Sequence, residues 1–464
     1  DWVALRLAEL VGDTLLDVSA AYESTGADWV WAMGNTGAGV GIAVVDSGTK
    51  KYQELKKDTR GQDTGYANGY SAVTCGPEDD ETKCKGDKDQ NGHGTIVASI
   101  ASNAKRRNAE PKYHGVAPDS TVVPVQVLDE EGKGSYSQVI AGIDWVLRNK
   151  ETYNIRVMNL SLSAPVRSWY WDDPLNQAVI KAWQAGIVVV VAAGNGGPDP
   201  MTVGVPGNVP YVITVGALND NGTPGDWSDD TLPEFSAAGP TFEAFVKPEL
   251  LAPGARVVGL MSDKSRLAKD HPGYKQDKDY YRMSGTSMSA AQVSGVVALM
   301  LAANPKLSPD QVKYRLMGGA RQAVLDTGEL AVSLWQQGAG RVDAYAAIDG
   351  FTSCTPVTCL ANQGLDIAKD LAGEEHYIGL TRWEADAQQF YLEGYDGSYA
   401  WDGDLFWSDG FAWSEGFAWS EGFAWSEGFA WSETYVDGQA INVFKTDTGL
   451  VSWVSDPQSG IPGQ

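Results

Sequence analysis

Between about Thr36 and Gly350 the chain alternates short apolar runs with stretches of helical periodicity. Gly41-Ile-Ala-Val-Val45, Thr121 to Leu128, Arg156 to Leu160, Ile187 to Val191 and Tyr211 to Val215 are mostly apolar and rich in Val and Ile. Runs of this length, apolar on both faces, read as buried parallel strands. Between them, Tyr136 to Leu147 sets Val139, Ile140, Ile143 and Val146 on one helical face, and Pro174 to Ala185 is helical too. The alternation predicts an α/β fold with three layers: a mostly parallel central sheet and helices on both faces. In open sheets of this kind, sites form outside the carboxyl ends of the strands. Asp46 and Asn195 each follow such a run directly.

The flanks read differently. Residues 1–30 are mildly amphipathic, with Leu5, Leu7, Leu10, Val11, Leu15 and Leu16, and predict a short helix and then a linker. The body is expected over 31–350, and an acidic, β-rich or irregular extension over 351–464. That extension holds 18 Asp plus Glu against three Lys plus Arg. Around 405–434 it carries a hexapeptide repeat, Phe411-Ala-Trp-Ser-Glu-Gly416, that recurs from 417 and 423 and nearly from 429. An even period in extended chain puts Phe, Trp and Glu on one side and Ala, Ser and Gly on the other. Strands or stacked turns are therefore expected. Such a strip either packs on the body or on itself, or binds a polymer, a surface or a partner. Deletion after about Gly350 is expected to leave turnover of small substrates intact.

Composition narrows the function classes. A 464-residue chain with 43% hydrophobic residues can bury one large core and a smaller appendage. A net charge of −25 would repel a phosphate backbone, so nucleic acid is excluded as a partner. No run reaches the roughly 18–20 apolar residues of a membrane span, and Gly186 to Ala193, the longest, reads as a strand. The chain begins at Asp1 rather than Met, which predicts a processed form of a longer zymogen. Four cysteines allow three pairings. Pairing by proximity joins Cys75 to Cys84 and Cys354 to Cys359, each closing a short loop worth about 2–3 kcal/mol. Free thiols and a Cys₄ metal site are the alternatives, though neither pair has the tighter spacing zinc prefers. Disulfides imply a secreted, extracellular protein. A monomer is expected.

Four short segments carry candidate chemistry. Ser287 sits in Ser284-Gly-Thr-Ser-Met-Ser-Ala-Ala291, at the start of a buried helix, where free N–H groups favour developing negative charge. A lone serine there is usually an N-cap. His93, flanked by glycines in Asn91-Gly-His-Gly-Thr95, is suited to proton transfer near neutral pH. His114, His271 and His376 lack such a setting and read as surface or structural residues. Asp46 ends its strand and either starts a turn or orients an imidazole. Asn195, in Ala-Gly-Asn-Gly, either supplies a turn or aims its amide at an oxyanion. Gly37, Gly39 and Gly41 precede a strand, so they are no dinucleotide fingerprint.

Taken together, in the order Asp, His, Asn, Ser, these blocks resemble the subtilisin-like serine proteases, the subtilases, over about 36–350. Gly115-Val-Ala-Pro118, Met158 to Leu162, Val205-Pro-Gly207 and Leu251-Ala-Pro-Gly254 add to the resemblance. It implies a subtilisin-like fold and a serine endopeptidase acting on proteins or peptides. Ser287 would be the nucleophile, His93 the base, Asp46 its orienting carboxylate and Asn195 part of the oxyanion hole. Gly132, Lys133, Gly134 and Ser135 would pair with substrate as an added strand. Ser161, Leu162, Ser163 and Ala164 would form one wall of the specificity pocket, with Gly204 opposite. Three departures from the family's pattern stand out. Ser163 and Ala164 replace a Gly-Gly, Ala291-Gln292 replace Pro-His, and Ile96 replaces a His. No cofactor is required for the chemistry. Structural calcium is an expectation at Asp79, Asp80, Glu81, Asp87 and Asp89. The rival readings are an inert scaffold or adhesin, and a metallopeptidase, for which there is no His-Glu-x-x-His segment.

Overall fold

The computed structural model describes residues 21–76, 79–104, 113–325, 330–350, 359–394 and 400–403, and only the backbone of 412–413 and 434–436. Seven parallel strands form the central sheet: β1 (Gly41–Asp46), β2 (Tyr70–Ser71), β3 (Thr121–Gln126), β4 (Ile155–Leu160), β5 (Val188–Ala192), β6 (Ile213–Leu218) and β7 (Leu250–Pro253). Their order is β2-β3-β1-β4-β5-β6-β7. Nearly every strand residue is buried, which is why the sequence shows unbroken Val and Ile runs instead of alternation. The expected strands all form. β6 begins at Ile213, two residues later than the apolar run itself.

Adjacent strand residues show that both faces are covered. Val45 points at Gly142 in α2 (Tyr136–Asn149), where a Cβ would meet Val45, Val125 and Val127. Asp46 must then point the other way. It does, toward Gly94 in α1 (His93–Ala101). α2 packs with α3 (Pro174–Gln184), whereas α1 packs with the long helix α4 (Thr286–Ala303). α4 crosses β4 to β7 and is mostly apolar and buried all round, as a central helix should be. It is the only described helix long and apolar enough to cross a membrane, and it is buried within the protein. Polar pins fix it over the sheet. Ser289 Oγ donates to Ala252 O, Gln292 Nε2 to Pro253 O and Ser294 Oγ to Asn159 Oδ1. Gln292, one of the departures from the family's pattern, is thus a packing residue.

Both flanks are more integrated than composition suggests. The stretch expected to be a linker forms two short helices, Ala21–Ser24 and Ala27–Ala32. Tyr22, Ala27 and Val30 enter the main core. Ser24 Oγ donates to Asp220, and Arg341 donates to Ser24 O. The amphipathic stretch before it lies outside the described residues. Packing also continues past Gly350. Asn362 donates to Tyr211 O at 3.0 Å, and α5 (Ile367–Ala372) lies on α3. Phe390, Leu392 and Trp401 share a cluster with Trp335. Of the repeat, the backbone of Ala412–Trp413 and of its last residue, Thr434, is described. Ala412–Trp413 pairs as extended backbone with Ala323–Val324, Thr434 pairs with Ile378, and the rest lies outside the described residues.

Candidate active site

The site is assembled where β1 ends and two helices begin. The Asp46 side chain is fully buried, and His93 opens α1 beside it. Gly94 makes this approach feasible, because a Cβ there would sit 2.1 Å from Gly48 O. His93 Nδ1 lies 2.8 Å from Asp46 Oδ1 and 2.9 Å from Oδ2. Ser47 N–H donates to Asp46 Oδ1 at 2.7 Å, so the carboxylate is held from both sides. That pairing puts the proton on Nδ1 and leaves Nε2 as an acceptor. Burial pulls the His93 pKa down, but the charge and hydrogen bond of Asp46, aided by Asp89, win and raise it above 6.5.

Asp89 is a site residue that the sequence grouped with a different function. It accepts hydrogen bonds from Ser47 Oγ at 2.9 Å, Gly92 N–H at 2.7 Å and Thr95 N–H at 2.9 Å. These residues flank Asp46 and His93. Burial raises its pKa to about 6. Its place three residues before Gly92, at a helix start, was the available signal. The other carboxylates expected to hold calcium scatter. Asp79 accepts from Gly76 N–H, Asp80 caps a 3₁₀ turn, Glu81 pairs with Arg148 and Asp87 with Lys51. Among the described residues, no group of three or more His, Cys, Asp or Glu is set to hold a metal.

Ser287 is the second residue of α4, so its N–H is among those the helix cannot satisfy. Its Oγ reaches Ser161 O at 3.4 Å rather than His93. Asn195 Oδ1 accepts from Thr286 N–H at 2.9 Å and Thr286 Oγ1 at 3.0 Å. Its Nδ2 is left to face other groups, close to Gly285 at the start of α4.

The expected substrate walls occupy two segments, one exposed and one largely buried. Gly132 to Ser135 lie between β3 and α2, and Gly132 approaches Asn91, two residues before His93. Ser135 caps α2, with its N–H bound to Gln138 Oε1 at 2.9 Å. Lys133 N–H is taken by Asp129 at 3.0 Å. Gly134 N–H and C=O have no partner among the described residues. Opposite, Ser161 Oγ is held by Asn159 Nδ2 at 2.8 Å and donates to Ser287 O at 3.1 Å. Leu162 is half-buried and Ser163 exposed. Ala164 exchanges two backbone hydrogen bonds with Val205, of 2.9 and 2.8 Å. This brings Ser163 against Gly204, where a Cβ would sit 2.2 Å from Ser163 Oγ.

Cys75 and Cys84 form a disulfide with Cα atoms 5.7 Å apart. Cys359 is disulfide-bonded as well, and Cys354 lies outside the described residues. His114 packs beside Tyr22 and Trp31, and His271 stacks on Tyr274, both structural settings. His376 differs from its expected lack of a special setting. Its Nδ1 lies 2.8 Å from the buried Asp370, a second Asp–His pair.

Residues 37–340 match the subtilase family. The chain is 37% identical over 321 residues to the serine protease AprX of Bacillus subtilis (strain 168), covering 68% of this chain and 67% of that protein. It is 32% identical over 296 residues to subtilisin DY of Bacillus licheniformis, covering 63% of this chain and 88% of that one. Among solved structures, a cold adapted subtilisin-like serine proteinase aligns with a TM-score of 0.46 and 29% identity, covering 63% of this chain and 85% of the other.

Proposed function

Since this chain belongs to the subtilase family and is a subtilisin-like serine protease, we propose that Asp46, His93 and Ser287 are its catalytic triad and Asn195 its oxyanion donor. The observation that carries this reading is the Asp46–His93 pair at 2.8 Å, set at the same end of the sheet as the start of the Ser287 helix. Ser287 Oγ attacks the scissile carbonyl carbon as its proton passes to His93 Nε2. The carbonyl oxygen takes the charge, facing Asn195 Nδ2 and Ser287 N–H. Collapse breaks the C–N bond, and His93 returns the proton to the leaving amine. Water then attacks the acyl-enzyme by the same route. The chemistry needs no cofactor.

Substrate lies as an added strand between two edges. Gly134 offers an N–H and C=O that are unpaired among the described residues on one side, and the segment around the exposed Ser163 lines the other. Gly132, Lys133 and Ser135 shape the first edge. Ser161, Leu162, Ala164 and Gly204 shape the pocket. The Cys75–Cys84 disulfide supports an oxidising, extracellular setting. Residues 31–350 carry the chemistry, and the described part of the extension, within 359–403, serves as a brace. A serine-directed fluorophosphonate tests the core of this reading. Labelling at Ser287, abolished in Ser287→Ala, is expected; folded wild-type protein that resists labelling there overturns it.

A further inference from the structure

The second Asp–His pair joins the extension to a loop that no catalytic role explains. Residues 165–173 connect the pocket wall, Ser161 to Ala164, with Asp173, the N-cap of α3. Asp173 Oδ2 also accepts from Tyr136 Oη at 3.1 Å, and Tyr136 follows Ser135 on the other substrate edge. The loop therefore spans both edges of the cleft. Its centre is gripped by the extension. Tyr170 is fully buried and donates through Oη to Asp370 Oδ2 at 2.7 Å. That Oη also accepts Tyr377 N–H at 3.2 Å. Tyr211 Oη donates to the same Asp370 oxygen at 2.8 Å, and His376 Nδ1 meets the other. The His376 ring stacks on Trp171 at 4.7 Å, and Trp171 stacks in turn on Trp169 at 4.9 Å. A buried carboxylate satisfied by three side chains gives a rigid anchor, and rings stacked in series transmit it to the loop.

We propose that Asp370 and His376 are positioning residues for substrate specificity, acting through Tyr170 and Trp171 to fix the 165–173 loop and so the pocket wall that begins it. This rests on the substrate walls assigned above. The nucleophile is insulated from the clamp. Ser161, where wall meets nucleophile, is tied separately to Asn159 and to Ser287. Loosening the loop should therefore strain the wall at Ala164, where two backbone bonds to Val205 oppose it, and leave Ser287 in place.

The test uses the full chain with Tyr170→Phe and His376→Phe. The first removes one hydroxyl, and the second keeps a ring on Trp171 but drops the bond to Asp370. For peptides that fill several subsites, KM is expected to rise by about tenfold while kcat stays within about twofold. The rate of Ser287 labelling by a small fluorophosphonate should not change. Asp370→Ala, which removes all three bonds, should give the larger effect; if it does not fold, the two conservative variants decide. An unaltered KM in both of those, or kcat falling in step with KM and labelling, overturns the inference. Wild-type protein that is not labelled at Ser287 defeats the active-site assignment instead, so the two failures are distinguishable.

Discussion

Thr286 N–H donates to Asn195 Oδ1 at 2.9 Å, and this single bond decides which end of the Asn195 amide is left to other groups. A backbone N–H can only donate, so the oxygen must face Thr286 and Nδ2 must face elsewhere. Thr286 Oγ1 adds a second contact at 3.0 Å and itself accepts from Gly194 N–H at 3.2 Å.

Two substitutions follow from that arrangement. Asn195→Leu should lower kcat by about 10²–10³ with little change in KM, a size taken over from subtilisin itself. Thr286→Val removes the side-chain contact but keeps the backbone bond. It should cost far less, roughly tenfold or below. Steady-state kinetics on one peptide substrate check both. An Asn195→Leu enzyme with wild-type kcat would falsify the oxyanion assignment.

The Asp46–His93 pair predicts a displaced pH profile. The base must be neutral, so kcat/KM should rise with pH through a midpoint above the ordinary 6.5. In Asp46→Asn the charge and hydrogen bond of Asp46, the main raising influences, are gone, while burial, the largest influence, outweighs the remaining pull of Asp89. The midpoint should then fall below 6.5, with kcat reduced by about 10⁴ as in other serine proteases, subtilisin included. Stability runs the other way. A raised His93 pKa means the folded state holds the proton more tightly, a contribution present in full below the unfolded value and lost as pH rises through the folded one. A limb that stays put in Asp46→Asn would show that another group sets it.

Ser163 should narrow the pocket. Its Oγ fills the space where a Cβ on Gly204 would sit. Ser163→Gly clears that volume and should favour bulkier apolar residues before the scissile bond, by about 1–3 kcal/mol in relative kcat/KM for each methylene newly admitted. A peptide-library cleavage profile identical to wild type would place Ser163 outside the pocket.

Much of this was legible in sequence for a physical reason. The strands are buried on both faces, so their runs are continuous, and Asp46, His93 and Asn195 each sit in a local backbone device built from glycines. Asp89 was visible as a carboxylate, yet only its contacts to Ser47, Gly92 and Thr95 separate it from the scattered acids near it. Asp370 was hidden more deeply. It stands in an acidic segment, where a carboxylate reads as solvated surface. Its partners Tyr170 and Tyr211 are 200 and 159 residues away, and no local pattern encodes such a contact.

That buried carboxylate also changes what truncation should do. Ending the chain after Gly350 was expected to leave small-peptide turnover intact. The packing argues otherwise. Trp335 is almost fully buried, donates through Nε1 to Thr381 Oγ1 at 2.9 Å and lies among Phe390, Leu392 and Trp401. Tyr170 and Tyr211 would lose Asp370, and Lys313 would lose Asn362 Oδ1 at 3.3 Å. Each large apolar side chain returned to water forfeits about 1.5–3 kcal/mol. Several at once should lower Tm by about 10 °C or more, or abolish the cooperative transition. A chain ending at Gly403 keeps every one of these partners and should melt close to the full chain. Calorimetry on the pair separates the cases. If the chain ending at Gly350 melts cooperatively at the full-length Tm, residues 359–403 are a dispensable cover. If it alone collapses, they are part of the domain on which the active site is built.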